Sequence, residues 1–377
     1  MQRRNHVWML AALTVGVVLP VLDTARAQEA TDGHAVFAMT NDAISNEVVA
    51  YQRTASGTLF GALRYKTEGR GSGGRIDPLA SQGALTLSQD RSMLFAVNAG
   101  SGTLSMFRVS GAQLELSDVV ATEGSEPNAV AQRGNLVYVL NTAGTSSVVG
   151  FRLNDGKLER IDGSLRFLSG NGTGSASLAF SPDGEFLLVT ERTTNDIDVF
   201  SVQPDGTLSA VTVNPSASAG AFAVSFAPNG TALVAETGPG AANGSTISSY
   251  SVRPDRTLTP ISSSIPTLGS ANCWVVVAGG GRFAYTSNSL SSSISGFAIG
   301  STGALTPLPG TVVAINPPGS INLEIVVSSD NKFLYALDAG SGSISAFAIN
   351  PQTGTLVGLG EVSGLPASAG LEGLAAN

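Results

Sequence analysis

The stretch from Ser177 to Val211 contains the pattern that most constrains the fold, because the rest of the chain repeats it. Pro-Asp-Gly turns and a polar Thr-Thr-Asn-Asp segment divide it into four short runs of β-forming residues: Leu178–Ser181, Phe186–Thr190, Ile197–Val202 and Leu208–Val211. Four such runs joined by tight turns predict one four-stranded antiparallel meander. A single sheet of this size cannot bury both of its faces, so it needs copies of itself to pack against.

The second strand of this meander recurs seven times and ends each time in an amide or a carboxylate. These closing residues are Asn41, Asn98, Asn141, Glu191, Glu236, Asn288 and Asp338. The third strand also recurs and ends in an aromatic residue, which we expect to fill the space between sheets: Tyr51, Phe107, Phe151, Phe200, Tyr250, Phe297 and Phe347. Successive closing residues lie between 43 residues (Asn98 to Asn141) and 57 residues (Asn41 to Asn98) apart, a spacing typical of propeller blades. The sequence therefore predicts an all-β fold, a seven-bladed β-propeller of four-stranded antiparallel blades.

The two ends of the chain fit together only as parts of one blade. Residues 35–40 match the second strand of the other repeats, so the first blade lacks an innermost strand. Residues 370–377 match the first-strand positions of the other repeats. We expect the C-terminal strand to pair with the first blade, which closes the ring and removes its exposed edges. Residues 28–377 then form a single domain.

Residues 1–27 have the organisation of a secretory signal peptide. Two arginines precede the apolar run Val7–Leu19, and Ala25-Arg26-Ala27 supplies the small residues of a cleavage site. The alternative, a membrane anchor, needs about 18 or more apolar residues, and this run stops at Pro20. We therefore expect a protein without a membrane span that is periplasmic or secreted after cleavage behind Ala27.

The charge and the scarce side chains argue against several classes of function. The formal net charge is −8 and no basic cluster offsets it, which argues against nucleic acid binding. The chain has one cysteine, Cys273, so no intramolecular disulfide can form. Its two histidines, His6 and His34, both lie near the N-terminus. A Ser-His-Asp triad, a Cys-His pair or a histidine-built zinc site is therefore not expected.

Strand direction places the candidate functional residues on one face of the propeller. In an antiparallel meander, the second strands end and the first strands begin on the same side, and the Pro-Asp-Gly turns lie on the other. We expect the closing residues to line a polar funnel there, although Asn and Asp at strand ends also cap turns. The residues that we predict to act in catalysis are Glu191, Arg192 and Glu236. The predicted ligand-binding residues are Asn98, Asn141, Asn288, Glu324, Asp338 and Glu372.

The same repeat resembles that of a known family. Ser181-Pro-Asp-Gly184, Glu185–Glu191, Ile197–Phe200 and Pro204–Leu208 look like the blades of the lactonase family of seven-bladed β-propellers. That family includes bacterial 6-phosphogluconolactonases and the fungal 3-carboxy-cis,cis-muconate lactonizing enzyme. The resemblance spans essentially all of residues 28–377 and implies action on lactones or carboxylates at the funnel. Enzymes of the family tend to carry Pro-Arg-His ahead of a middle first strand, where this chain has Ser175-Ala176-Ser177.

Two functions follow from these observations, and both stay open at the level of sequence. In the first, an exported propeller binds a small molecule of the lactone or carboxylate class, or a protein partner, without the histidine-dependent catalysis of the family. In the alternative, the chain is a lactone hydrolase or cycloisomerase that uses carboxylates. We expect a monomer with no cofactor and no metal. Calcium bound by carboxylate oxygens is an alternative, although no loop has the ordered ligand spacing of a calcium site.

Overall fold

The computed structural model describes residues 1–2 and 31–377, which include 29 β-strands in seven sheets. The predicted signal peptide lies outside the described residues except for its first two positions. Each sheet is an antiparallel meander that forms one blade, which confirms the seven-bladed propeller. In the described part of the chain there is no helix long and apolar enough to cross a membrane.

The first three blades contain strands β1 to β12. Blade 1 contains β1 (Thr31–Met39), β2 (Glu47–Thr54) and β3 (Leu59–Lys66), with the last strand of the chain as its innermost strand. Blade 2 contains β4 (Leu85–Leu87), β5 (Met93–Asn98), β6 (Thr103–Ser110) and β7 (Gln113–Ala121). Blade 3 contains β8 (Ser125–Arg133), β9 (Leu136–Ala143), β10 (Thr145–Asn154), β11 (Lys157–Arg160) and β12 (Arg166–Asn171). Both β11 and β12 pair with β10, so the outer edge of this blade is made of two short strands.

The other four blades contain strands β13 to β28. Blade 4 contains β13 (Ser175–Phe180), β14 (Phe186–Glu191), β15 (Asp196–Ser201) and β16 (Thr212–Pro215). Blade 5 contains β17 (Ala221–Phe226), β18 (Ala232–Glu236), β19 (Thr246–Val252) and β20 (Leu258–Pro266). Blade 6 contains β21 (Asn272–Ala278), β22 (Phe283–Asn288), the 3-10 turn Ser289–Ser291, β23 (Ser293–Ile299) and β24 (Leu305–Ile315). Blade 7 contains β25 (Asn322–Val327), β26 (Phe333–Asp338), β27 (Ser343–Ile349) and β28 (Leu356–Ser363).

The last strand, β29 (Glu372–Ala376), closes the ring as the sequence predicts. It pairs antiparallel with β1, where Phe37 faces Ala375 and Ala38 faces Leu374. The side chain of Asn377 continues the pairing, because its Oδ1 accepts a hydrogen bond from the backbone N–H of Ala35 at 2.6 Å. Blade 1 therefore has no exposed inner edge.

The fourth strand of the opening repeat differs from the prediction. Leu208–Val211 was the expected strand, but β16 runs over Thr212–Pro215. Leu208 makes only an isolated bridge with Val202, and the side chain of Ser209 then bonds the backbone N–H of Ser201 at 3.0 Å. Regular pairing resumes where Val199 faces Thr212. The short apolar run marks the start of the hairpin, and the strand itself forms beyond an irregular segment.

The seven aromatic residues of the third strands are buried between the blades. Their exposed fractions are at most 6 %: Tyr51, Phe107, Phe151, Phe200, Tyr250, Phe297 and Phe347. They extend the apolar contacts of each sheet to its neighbour, which is the packing that a single sheet cannot provide.

One connection enters the centre of the ring. Residues 77–83, which we call the axial segment, precede β4 and lie across the propeller axis. The indole N–H of Trp274 in blade 6 donates to the carbonyl of Ser81 at 3.0 Å. The side-chain amide of Gln82 accepts from the backbone N–H of Val275 at 2.9 Å and donates to its carbonyl at 3.2 Å. Gln82 also bridges Ser177 in blade 4. The segment thus connects blades from opposite sides of the ring.

Candidate functional site

The two faces of the propeller differ in what they offer a ligand. We call the side where the second strands end the loop face, and the side with the turns between first and second strands the turn face. The predicted funnel belongs to the loop face. Its seven closing residues, however, are all buried to 0 % exposure: Asn41, Asn98, Asn141, Glu191, Glu236, Asn288 and Asp338. They sit between blades rather than on the wall of an open funnel.

Two of the asparagines among them, Asn98 and Asn141, connect neighbouring blades. Oδ1 of Asn98 accepts from the hydroxyl of Thr67 at 2.7 Å and from the amide of Asn46 at 3.0 Å, and both donors belong to blade 1 or its exit. Oδ1 of Asn141 accepts from the hydroxyl of Thr122 at 2.8 Å, which lies at the exit of blade 2. Nδ2 of Asn288 donates within its own blade, to Ser295 Oγ at 2.8 Å. Buried amides need such partners, and these contacts give the repeated asparagine a structural role. Ligand binding by Asn98, Asn141 and Asn288 stays a prediction.

The predicted catalytic carboxylate Glu236 is enclosed by hydroxyl groups. Its oxygens accept from Thr246 Oγ1 at 2.6 Å, from Ser248 Oγ at 2.9 Å and from Ser216 Oγ at 2.9 Å. Burial raises its pKa, and these hydrogen bonds offset part of the shift. Asp338 in blade 7 is similar, since Asn316 Nδ2 at 2.9 Å and Ser345 Oγ at 2.5 Å bond its two oxygens. Burial raises the pKa of Asp338 to about 7. Neither group faces solvent.

Glu191 belongs to a buried acid pair between blades 3 and 4. Its carboxylate accepts from Ser169 Oγ at 2.5 Å and Thr194 Oγ1 at 2.7 Å. Asp198 lies beside it, and the backbone N–H of Ser169 bonds Asp198 Oδ2 at 3.1 Å. Burial, followed by the charge of Glu191, raises the pKa of Asp198 to about 8. Asp198 therefore keeps its proton at neutral pH.

A different group of charged residues meets at the propeller axis. The axial cluster consists of Asp77 from the axial segment, Glu324 from β25, Glu372 from β29 and Arg192 from the loop after β14. The carboxyl groups of Asp77 and Glu372 are hydrogen bonded to each other. Arg192 is close enough to lower the pKa of Asp77, and Glu324 is close enough to raise the pKa of Glu372. Of the predicted site residues, the fold brings together Arg192, Glu324 and Glu372, and it leaves Glu191 and Glu236 apart between blades.

Burial sets the protonation of the cluster. It raises the pKa of Glu372 well above its usual range, and the neighbouring Asp77 charge adds to the shift. Burial also raises the pKa of Asp77 to about 7, while the hydrogen bond from Glu372 and the charge of Arg192 act in the opposite direction. Glu372 therefore holds the proton of the pair and donates it to the Asp77 carboxylate. One acid and one base with different environments stand side by side, an arrangement typical of acid/base sites.

The protein holds the rest of the cluster in place through backbone donors. Oε1 of Glu372 accepts from the N–H of Leu79 at 3.2 Å. Glu324 accepts from the N–H of Gly83 at 3.2 Å and from the N–H of Leu374 at 3.0 Å. Burial raises the pKa of Glu324 to about 8. At neutral pH, Glu324 is therefore mostly uncharged.

Arg192 supplies the cation of the cluster and is exposed. Its guanidinium makes no ion pair or hydrogen bond with any residue in the ranges 1–2 and 31–377, although its backbone N–H bonds Gly174 at 3.1 Å. Asp77 is partly exposed beside it, and Oδ1 of Asp77 accepts no hydrogen bond from any described N–H or hydroxyl group. A ligand at the loop face can therefore meet a free cation, and beside it lies a buried carboxylate oxygen that has no hydrogen-bond donor of its own.

Asp77 is the functional candidate that sequence reasoning misses. It follows a glycine-rich stretch, outside the seven repeats, and its φ of 46° places it in the left-handed region that turn residues occupy. No local pattern connects it with Glu372, which lies near the other end of the chain. The one indication that Asp77 and Glu372 lie close together is the closure of the ring, which brings the start of β29 next to the connection that leaves blade 1.

Cys273 also lies near the axial cluster, but its surroundings argue against a nucleophile. It is 6 % exposed, and burial raises the pKa of its thiol far above the usual range.

No group of three His, Cys, Asp or Glu side chains in the described ranges is arranged to hold a metal ion.

A large cavity lies on the opposite face from the predicted funnel. It has a volume of about 580 Å³ and is lined by residues from the innermost strand of every blade. Gln82, Gly83 and Glu324 form its inner end, so the axial segment separates this cavity from the loop face. Of the axial cluster, Glu324 reaches the inner end of this cavity, whereas Arg192 is exposed and does not line it.

Comparison with known proteins identifies the family. The family described as "Lactonase, 7-bladed beta-propeller" matches residues 32–170, 132–238 and 278–365. No curated protein matches the chain. Among solved structures, a candidate 6-phosphogluconolactonase from Bacteroides uniformis is 21 % identical, with a TM-score of 0.68 over 92 % of this chain and 99 % of that one. The periplasmic gluconolactonase of Pseudomonas aeruginosa is 18 % identical, with a TM-score of 0.67 over 90 % and 98 %. The family match covers well over half of the chain, which therefore belongs to the lactonase family of seven-bladed β-propellers.

Proposed function

We propose that the axial cluster binds a small uncharged lactone at the loop face and hydrolyses it. The observation that carries the proposal is the hydrogen-bonded Asp77–Glu372 pair beside the unpaired Arg192. The family membership supports the lactone as substrate class. The charge of the cluster supports a substrate without phosphate, because one free arginine beside three carboxyl groups is a poor site for a dianion.

The chemistry needs one base, one acid and one group that stabilises an oxyanion. Ionised Asp77 takes a proton from a water molecule, whose oxygen attacks the carbonyl carbon of the lactone. Arg192 stabilises the negative charge that develops on the carbonyl oxygen. The ring C–O bond breaks, and Glu372 gives its proton to the leaving oxygen. The proton taken up by Asp77 then returns to Glu372 through their hydrogen bond, which restores the starting state.

Binding without turnover is the second candidate, and one specific feature favours it. The chain has Ser175-Ala176-Ser177 at the place where enzymes of the family tend to carry Pro-Arg-His. In this case Arg192 and Asp77 hold the ring oxygens of a lactone or hydroxy acid, and no bond breaks. Glu324 and Glu372 then act only as neutral hydrogen-bonding groups.

Hydrolysis assays with a panel of lactones separate the two candidates. We expect the wild-type protein to accelerate ring opening of an uncharged sugar δ-lactone over the spontaneous rate. Asp77→Asn removes the base and is expected to lower kcat/KM by about 10²-fold or more. Asparagine tolerates the left-handed backbone at this position, and a thermal melt verifies the fold. Asp183→Asn, at a turn on the opposite face, is the matched control and is expected to leave the rate unchanged.

The outcomes are distinguishable. Turnover that is lost in Asp77→Asn and retained in Asp183→Asn supports hydrolysis. If no lactone is opened faster than in buffer, while a lactone raises the Tm of the wild type and not of Arg192→Ala, the site binds without catalysis. If neither turnover nor a thermal shift occurs, the loop face is not a lactone site.

We also propose that the protein is exported and acts as a monomer. Residues 1–27 support export, since they have the three regions of a signal peptide. N-terminal sequencing of the protein recovered from the periplasm or the medium tests this, with Gln28 expected as the first residue. Size-exclusion chromatography with light scattering tests the monomer.

A further inference from the structure

The cavity on the turn face, which we call the turn-face channel, has the features of a second binding site. It lies on the propeller axis and has a volume of about 580 Å³, within the range of small-molecule sites. All seven innermost strands contribute to its wall. The axial segment closes its inner end, so the channel is blind and opens only on the turn face.

Apolar side chains make up much of the wall. Leu87, Phe180, Phe226, Val276 and Val326 line the channel, and each is only half-buried in the folded chain. These strands come from five different blades, so the apolar surface surrounds the axis on several sides. Phe180 is held in this wall by an edge-on contact with Tyr138 of blade 3, with ring centroids 5.9 Å apart.

The inner end of the channel is polar. Both oxygens of Glu324 accept backbone N–H bonds, from Gly83 and Leu374. Burial keeps this carboxyl group protonated at neutral pH, so it also has an O–H group to donate. The hydroxyl of Thr86 lies on the same wall and bonds the carbonyl of Val130 at 3.0 Å. A ligand can therefore bury an apolar body along the wall and place one polar group at the closed end.

The dimensions limit what fits. Glu324 lies at the inner end and Ser328 begins the turn at the mouth, a separation of four strand residues or about 13 Å at ~3.3 Å per residue. Dividing the volume of about 580 Å³ by this depth gives a cross-section of roughly 45 Å² for the centres of ligand atoms, or a width of about 7 to 8 Å. The channel is thus wide enough for one six-membered ring.

The mouth does not select for a charged ligand. Arg133 lines the channel near its opening, and the carboxylate of Asp183 is close enough to it for the Arg133 charge to lower the pKa of Asp183. Gln89 and Gln132 are tied together, since the N–H of Gln89 donates to Gln132 Oε1 at 2.9 Å. The rim is therefore polar and nearly neutral.

We propose that the turn-face channel binds an uncharged single-ring compound that carries one hydroxyl or carbonyl group, with the ring against the apolar wall that includes Val276 and Val326 and the polar group at Glu324. The channel shares Glu324 with the axial cluster, but Asp77, Arg192 and Glu372 do not line it. It needs no lactone and no catalysis.

Calorimetric titration of the full chain with benzyl alcohol tests the proposal. We expect saturable 1:1 binding to the wild type. Val276→Trp and, separately, Val326→Trp place a large side chain in the channel and are expected to weaken binding at least tenfold, while thermal melts verify that each variant folds. Benzoate, which has the same ring and a charge, is expected to bind at least tenfold more weakly because its carboxylate loses hydration in the channel.

Asp77→Asn is the matched control, since it alters the loop-face cluster and leaves the channel wall intact. It is expected to bind benzyl alcohol like the wild type, whatever its effect on lactone turnover. An absence of saturable binding overturns the proposal. Binding that persists unchanged in both tryptophan variants also overturns it, because the ligand then sits elsewhere.

Discussion

The buried acid pair between blades 3 and 4 leads to a prediction about stability and pH. Asp198 is 0 % exposed, and its pKa is raised from 3.8 to about 8. In the unfolded chain the carboxyl group ionises near pH 4, whereas in the folded protein it keeps its proton until about pH 8. The folded state therefore binds more protons throughout this window. Its stability is greatest at the acidic end and is lost as the pH rises.

The size of the effect follows from the width of the window. Each pKa unit corresponds to about 1.4 kcal/mol, so raising the pH from 5 to 8 removes on the order of 4 kcal/mol of stability through Asp198. At about 2 °C per kcal/mol for a large domain, the melting temperature falls by on the order of 8 °C. Asp77, Glu324 and Asp338 have raised pKa values as well and add a decrease of the same sign. The carboxylates with lowered pKa values, such as Asp330 at about 2, titrate below this window.

The variant Asp198→Asn isolates the pair. Asparagine has the shape of the aspartate side chain and can donate an N–H to Glu191, but it does not titrate. The melting temperature of the variant protein is therefore expected to depend less steeply on pH than that of the wild type. Differential scanning calorimetry at pH 5, 6, 7 and 8 measures both slopes. Asp183→Asn, whose pKa is lowered, serves as the control and is expected to retain the wild-type slope. A wild-type melting temperature that is flat or rises from pH 5 to pH 8 refutes the reasoning, as does an unchanged slope in Asp198→Asn.

Two further predictions concern the ring. Deleting residues 371–377 removes the buried Leu371 and Leu374 and exposes the inner edge of blade 1. We expect the free energy of unfolding to fall by more than about 4 kcal/mol, which lowers the melting temperature sharply and promotes aggregation. An unchanged melting temperature argues against closure of the ring by β29. Gly124→Ala, in the connection between blades 2 and 3, places a Cβ 2.4 Å from the Asn141 side chain, whereas Gly170→Ala in β12 meets nothing within 4 Å. In chemical denaturation, the free energy of unfolding should fall by about 1–3 kcal/mol for Gly124→Ala and by almost nothing for Gly170→Ala. Equal stabilities of the two variants contradict a tight contact between blades at Asn141.

The fold could be predicted from the sequence because its determinants are local and repeated. Each blade carries its own turns, its own strand-end polar residue and its own aromatic residue, so seven weak signals support one architecture. Even the closure of the ring follows, since residues 35–40 and 370–377 each lack a partner within their own repeat. The fourth strand of blade 4 was misplaced because Leu208–Val211 has the apolar pattern, while the pairing depends on where the irregular hairpin regains its register.

The axial cluster could be predicted only in part. Arg192, Glu324 and Glu372 follow from strand direction, because each lies at or near a strand end that points to the loop face. Asp77 does not, since the path of the axial segment depends on contacts with Trp274 and Val275, about 190 residues away. The sequence also cannot separate a polar residue that faces solvent from one that holds two blades together. Glu236 and Asp338 have the same strand position, and only their hydroxyl and amide partners show that both are enclosed.

The central claim is that the Asp77–Glu372 pair and Arg192 form a lactone-hydrolysing site at the loop face. The most direct test is the initial rate of ring opening of an uncharged sugar δ-lactone, measured for the wild type, Asp77→Asn and Asp183→Asn at equal concentrations. We predict turnover by the wild type and by Asp183→Asn, and a rate for Asp77→Asn that is lower by about 10²-fold or more. A folded Asp77→Asn protein that opens the lactone as fast as the wild type would contradict the claim.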